Sequence, residues 1–191
     1  MDYFKFNNEV PPQKGSLLIS EPFLPDPNFE RTVILLCEHN EDGSFGFVLN
    51  KPSQVKVSEI MEDLDMIETP VYVGGPVQQN TLHFVHRSDK IEGGTEISPG
   101  LFWGGNFDQL TFLGQEGLID INNFRFFAGY SGWSEGQLEE ELTANSWIVT
   151  PPVSPELIFD SDVNSLWKTV LKQLGGRFYV YSNYPTDPRL N

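Results

Sequence analysis

Apolar positions recur along this chain at two spacings, and the spacing separates predicted strands from predicted helices. Residues 32–37 (TVILLC) form a short unbroken apolar run rich in β-branched side chains, which predicts a strand buried on both faces. The polar stretch 39–43 interrupts it, and Asp42-Gly43 is a favoured turn pair because both residue types tolerate positive φ. Phe45, Phe47 and Leu49 then lie two apart and share a face, with Gly46 leaving room for close backbone approach. The product is a β-hairpin whose loop displays His39 and two acids, with Lys51-Pro52 ending its second strand.

Strand patterns also cover 17–20, 71–73, 81–86, 97–105, 123–130, 146–150 and 178–181. Helical spacing appears where Ser58 can cap a short helix burying Ile60, Met61, Leu64 and Ile67. A second helix starts at Asn106 or Asp108 and stops near Gly117. Ser134 is read as the cap of a third, 135–144, with Glu139, Glu140 and Glu141 toward solvent and Leu138 and Leu142 on the other side. Asp162 caps the last, whose apolar stripe is Val163, Leu166, Trp167, Val170, Leu171 and Leu174, ended by Gly175-Gly176. Strands and helices mix without recurring strand-helix-strand units, so the expected class is α+β and mostly antiparallel. Residues 1–14 are expected as a flexible N-terminal arm and 15–191 as a single domain.

Charge narrows the partners. The formal net charge is −15. An anionic field of that size repels phosphate backbones and anionic lipid, so direct nucleic-acid or membrane-surface binding is not expected. Lys168 and Lys172 fall near a helix C-terminus, where they complement its dipole. The single cysteine excludes an internal disulfide, and neither a long apolar span nor a cationic leader is visible, so a cytoplasmic location is the expectation.

Six ordered segments resemble the AlgH/YqgE-like family of bacterial proteins: 15–20 (GSLLIS), 26–50, 73–77 (VGGPV), 101–108 (LFWGGNFD), 125–141 (RFFAGYSGWSEGQLEEE) and 187–191 (DPRLN). Together they span nearly the whole chain from Gly15. The resemblance implies an α+β fold with a branched, barrel-like sheet flanked by helices. It also brings an inherited label of transcriptional regulator and no established active site, so no catalytic residues carry over. The aromatic series Phe178, Tyr179, Tyr181 and Tyr184 departs from that pattern.

Two places hold candidate chemistry. Cys37 and His39 fall on one face of a predicted strand, and an imidazolium beside a thiol lowers its pKa. Same-face neighbours are about 7 Å apart along a strand, however, and an unpaired cysteine is more often a small buried hydrophobe. A metal site would have to recruit His83 and His86, which three apart on a strand face opposite sides, so no metal and no cofactor are expected.

The second place is a set of glycine-aromatic turns. Gly74-Gly75-Pro76, Trp103-Gly104-Gly105 and the stretch 129–133 with Tyr130 and Trp133 each follow a predicted strand. Should they converge, Trp103, Tyr130 and Trp133 would wall a concave site floored by backbone amides. The simpler reading is tight turns plus core aromatics. Neither GxxxxGK[ST] nor GxGxxG occurs, and Ser131 lacks the GxSxG setting of a nucleophile elbow. The expectation is therefore a non-catalytic domain that binds a small molecule or a protein partner, with any transcriptional role indirect. The alternative is an enzyme of unknown class using Cys37 and His39.

Overall fold

In a computed structural model the described residues are 5–186. The chain runs β1 (Leu17–Ser20), β2 (Val33–Asn40), β3 (Gly43–Val48), β4 (Pro52–Lys56), α1 (Val57–Ile60), β5 (Pro70–Val73), β6 (Val77–His86), β7 (Thr95–Ser98) and β8 (Leu101–Trp103). It continues through α2 (Phe107–Gln115), β9 (Phe124–Ser134), α3 (Gln137–Thr143), β10 (Trp147–Val149), α4 (Pro155–Phe159), α5 (Leu166–Leu174) and α6 (Gly176–Tyr181). The fold is α+β, as the mixed spacings predict. The segment 187–191, which carried part of the family resemblance, lies outside the described residues.

The sheet is branched and open. Its main path is β10-β1-β2-β3-β9-β6-β8-β7, with β4 joined through β5 to β9. Among the described ladders only β5–β9 is parallel. The expected barrel-like closure is wrong: β10 and β7 end the path and no ladder joins them. One link between the two ends is a side-chain bond, from Ser98 Oγ in β7 to the Val153 carbonyl beyond β10, at 3.2 Å. The free edge of β10 is covered from the N-terminal side. Asn8 Nδ2 donates to the Trp147 carbonyl at 3.1 Å and its Oδ1 accepts from Val149 N at 2.8 Å, blunting an exposed strand edge. With Phe6 buried as well, the described part of the expected arm is docked on the body of the protein.

Branching happens along β9. One edge pairs with β6; the other is shared, with β5 taking 126–128 and β3 taking 131–134. At that fork Gly74 N donates to the Ala128 carbonyl, and the Gly74 carbonyl accepts from Val48 N and from Ser131 Oγ. A Cβ on Gly74 would stand 2.4 Å from the Gly129 carbonyl oxygen, and one on Gly75 2.2 Å from the Tyr130 carbonyl carbon. Glycine is what lets three backbones meet there.

Strand alternation sorts the core into layers. Leu17, Ile19, Leu35 and Phe47 face a cluster closed by Phe159, Leu166, Trp167 and Leu171 from α4 and α5. Leu18, Ile34 and Val48 face the other way, onto Trp133, Trp147 and Leu138 of α3. A third cluster packs Leu110 of α2 against Phe124 and Phe126. In α3, Glu141 departs from the expected solvent face. Its Oε2 accepts from Trp133 Nε1 at 2.8 Å and from Trp147 Nε1 at 2.6 Å, satisfying both indoles at once.

Several elements differ from their sequence patterns. The stretch 97–105 is a hairpin, β7 and β8, folded at Gly100 with φ +78°. Residues 178–181 are helical, not a strand, because Gly175 at φ +70° reverses the chain and Phe178 and Tyr181 then pack at helical spacing while Tyr179 and Val180 stay exposed. Lys56, not Ser58, occupies the cap of the single-turn α1, and Ile60 is exposed. Gly136, in the left-handed region, replaces Ser134 as the cap of α3, and α5 begins at Leu166 with Ser165 as its cap. The N-cap of α2 is Asn106, whose side chain accepts from Gln109 N.

Candidate functional site

The far end of the β2–β3 hairpin stands beside β6, β8 and β9, and together they border an open hollow of about 610 Å³. Its polar rim comes from Glu38, Asn40, Asp42 and Ser44; its deeper wall comes from Phe45, His83, Trp103 and Tyr130. No lysine or arginine lines it.

Pairing explains why these side chains meet. Glu38 lies opposite Phe45 across the β2–β3 ladder, and Phe45 lies opposite Gly132 of β9. Cross-strand partners share a face, so Glu38 and Phe45 point into the same space. Gly132 carries no side chain to fill it. Trp103 is paired with Val85, two residues beyond His83 on β6, which sets both rings on that face as well. The four rings form a closed circuit. Centroid separations are 4.7 Å for Phe45–Trp103, 6.3 Å for Trp103–His83, 6.1 Å for His83–Tyr130 and 6.1 Å for Tyr130–Phe45. Three of the four contacts are steep, between 65° and 86°, as in the walls of a box. Below it Phe47 stacks on Phe127 at 4.8 Å and contacts His83 at 5.3 Å.

His83 is a neutral wall. Burial holds its pKa below the ordinary histidine range, and its Nε2 lies 3.1 Å from the Thr81 hydroxyl. His86 turns to the opposite face, stacked on Phe102 and Phe124, with its ring nitrogens engaged by the Gly104 carbonyl and Ser88 N.

The glycine-aromatic turns converge only in part. Trp103 and Tyr130 line the hollow. Trp133 borders it, but its indole is 6% exposed and packs on the opposite face against Trp147, tied to Glu141. Two amides of the expected floor are already engaged within the fold. Gly74 N and Gly104 N donate to the Ala128 and Phe84 carbonyls, and a Cβ on Gly105 would meet Ile91 at 2.6 Å. Gly74, Gly75 and Gly105 therefore serve chain packing, Gly104 takes a left-handed turn at φ +67°, and none of the four lines the hollow. Phe45, His83, Glu38 and Asp42 were not anticipated as site residues. The period-two face of Phe45 and Phe47 was legible, whereas the pairing of that hairpin with β9, nearly ninety residues on, had no local signal.

Cys37 and His39 are not brought together as a reactive pair. A register shift between Leu36 and Glu38 breaks the strand's alternation beside Cys37. Cys37 is 1% exposed, and burial raises its thiol pKa far above the ordinary range. A thiolate is the reactive form, so this environment works against a nucleophile. His39 Nδ1 instead bonds Ser44 Oγ at 2.6 Å, with Nε2 3.9 Å from Glu139. Among the described residues no three His, Cys, Asp or Glu side chains gather as a metal site, and no helix is long and apolar enough to cross a membrane.

An open branched α+β sheet with an aromatic hollow beside its central hairpin is thus the architecture in hand. Comparison with known proteins places the family. Residues 17–179 match the AlgH-like family, DUF179, and the chain belongs to that family. It is 47% identical over 180 residues to a UPF0301 protein of Cytophaga hutchinsonii, covering 93% of this chain and 98% of that one. A UPF0301 protein of Chlorobium phaeobacteroides is 46% identical over 180 residues, covering 94% and 96%. Among solved structures, the AlgH protein from Pseudomonas aeruginosa superposes with a TM-score of 0.72 at 29% identity, covering 94% of this chain and 98% of that one. A Corynebacterium diphtheriae protein gives 0.73 at 26% identity, covering 94% and 95%.

Proposed function

We propose that this protein is a non-catalytic binding or regulatory domain whose ligand site is the hollow between the β2–β3 hairpin, β6, β8 and β9. The observation that carries this reading is the aromatic circuit itself. Four half-buried rings stand open to a space of about 610 Å³. The one thiol is sealed in the core and does not serve that space as a nucleophile. Any part in transcription runs through a ligand or protein partner and not through duplex contact, because a net charge of −15 opposes a phosphate backbone.

A small-molecule fragment screen read by thermal shift and ligand-observed NMR tests the assignment. Hits are expected to broaden or shift on the wild-type protein and to be lost on Trp103→Ala and Tyr130→Ala, both folded by circular dichroism. If every hit survives both substitutions, the site is elsewhere.

A further inference from the structure

We propose that the hollow selects small organic cations of the alkylated-ammonium class, a proposal that rests on its being a ligand site at all. Two features with separate origins point the same way. The first is the box of Phe45, His83, Trp103 and Tyr130, whose neighbouring centroids lie 4.7–6.3 Å apart. A cation over the middle of such a box sits within about 6 Å of each ring, the range in which a ring's negative face attracts it. The second is the charge of the lining. Glu38 and Asp42 stand at the mouth, and no Lys or Arg contributes to the wall. Glu38 is held in place by Asn40, whose Nδ2 donates to its Oε1 at 2.8 Å, while Asn40 Oδ1 accepts from Asp42 N at 2.9 Å.

Ligand charge decides among the classes the hollow could take. An anion would meet two carboxylates with no compensating donor cation, and the Gly74 and Gly104 amides are already used within the fold. A neutral apolar ligand would gain from the rings and nothing from the carboxylates. An alkylated ammonium gains from both, and its diffuse charge sheds water more easily than a compact ammonium does. His83 remains a ring and not a rival cation while its imidazole is neutral.

The test compares choline with 3,3-dimethylbutan-1-ol, which has the same shape with carbon in place of the charged nitrogen. Binding is followed by amide and indole NMR shifts of the full chain. Choline is expected to produce saturable shifts at Trp103, Phe45 and Tyr130, and the neutral isostere to bind at least about ten-fold more weakly. Trp103→Ala is expected to remove choline binding. Glu38→Gln, an exposed change that preserves the fold, is expected to weaken choline about three-fold and leave the isostere unaffected. Equal binding of the two probes overturns the cation proposal while leaving the ligand site standing. So does silence with both probes when screening fragments still bind at Trp103. Silence from probes and fragments alike removes the ligand site itself.

Discussion

Replacing Glu141 with alanine removes the acceptor shared by two buried indoles, and its cost can be worked from the contacts. Trp133 and Trp147 donate to Oε2 at 2.8 and 2.6 Å, while Gln137 Nε2 donates to Oε1 at 3.1 Å. A hydrogen bond to a charged partner contributes about 1.5–3 kcal/mol, so the two indole bonds set a ceiling of about 6 kcal/mol. The carboxylate is only half-buried, so water can recover part of the loss, and alanine gains a few tenths in helix propensity. The expected destabilisation is about 2–4 kcal/mol. With a urea slope near 2 kcal/mol per molar, that lowers the unfolding midpoint by about 1–2 M. Tryptophan fluorescence is the natural readout, because two of the four indoles lose their partner. Glu140→Ala, one residue away on the exposed side of α3, is the control and is expected to stay within about 0.5 kcal/mol of wild type. Equal midpoints for the two variants would refute the shared-acceptor account.

The remaining expectations are shorter. Cys37 is expected to resist a thiol-reactive disulfide reagent at neutral pH and to react fully once urea unfolds the chain; rapid native-state labelling would show that the strand opens and return the enzymatic alternative to contention. Burial depresses the pKa of both His83 and His86, so the unfolded chain takes up their protons first: stability is full above about pH 6.5, declines as pH falls through the window down to the folded-state values, and levels off below them for these two groups. His86→Gln is expected to flatten that decline in a thermal-melt series, and an unchanged profile would assign the dependence elsewhere. Gly46→Ala would put a Cβ 2.1 Å from the Leu35 carbonyl oxygen and is expected to cost about 3 kcal/mol or more, against about 1–2 kcal/mol for Gly93→Ala, where φ is +74° but nothing lies within 4 Å. Soluble expression and melting temperature separate the two.

What was legible in the sequence followed from local pattern. The first strand's 17–20 and the cap at Asn106 express constraints that act within a few residues, and the glycine at 46 one that acts across a hairpin. The misreadings arose where a local pattern was silent or ambiguous. In 178–181 every residue is apolar or aromatic, so neither period shows, and the choice fell to Gly175 and to packing of Phe178 and Tyr181. Strand β4 is exposed at nearly every position and gives no alternation to detect. Glu141 follows two acids on a helix and reads as solvated; only the arrival of two indoles from β9 and β10 turns it inward. Half of the aromatic box was anticipated, Trp103 and Tyr130, because each adjoins a conspicuous turn. Phe45 and His83 were recognisable as strand residues, but their meeting depends on ladders between distant segments.

A strand that serves three ladders also fixes when the two wings of the sheet can be joined. Residues 124–134 emerge from the ribosome after β1 to β8, yet they supply the neighbour that β3, β5 and β6 all require. Until then the early hairpin and the middle strands keep unsatisfied edges. Synthesis of this segment therefore joins two half-built wings, and β10 is added beside β1 only afterwards.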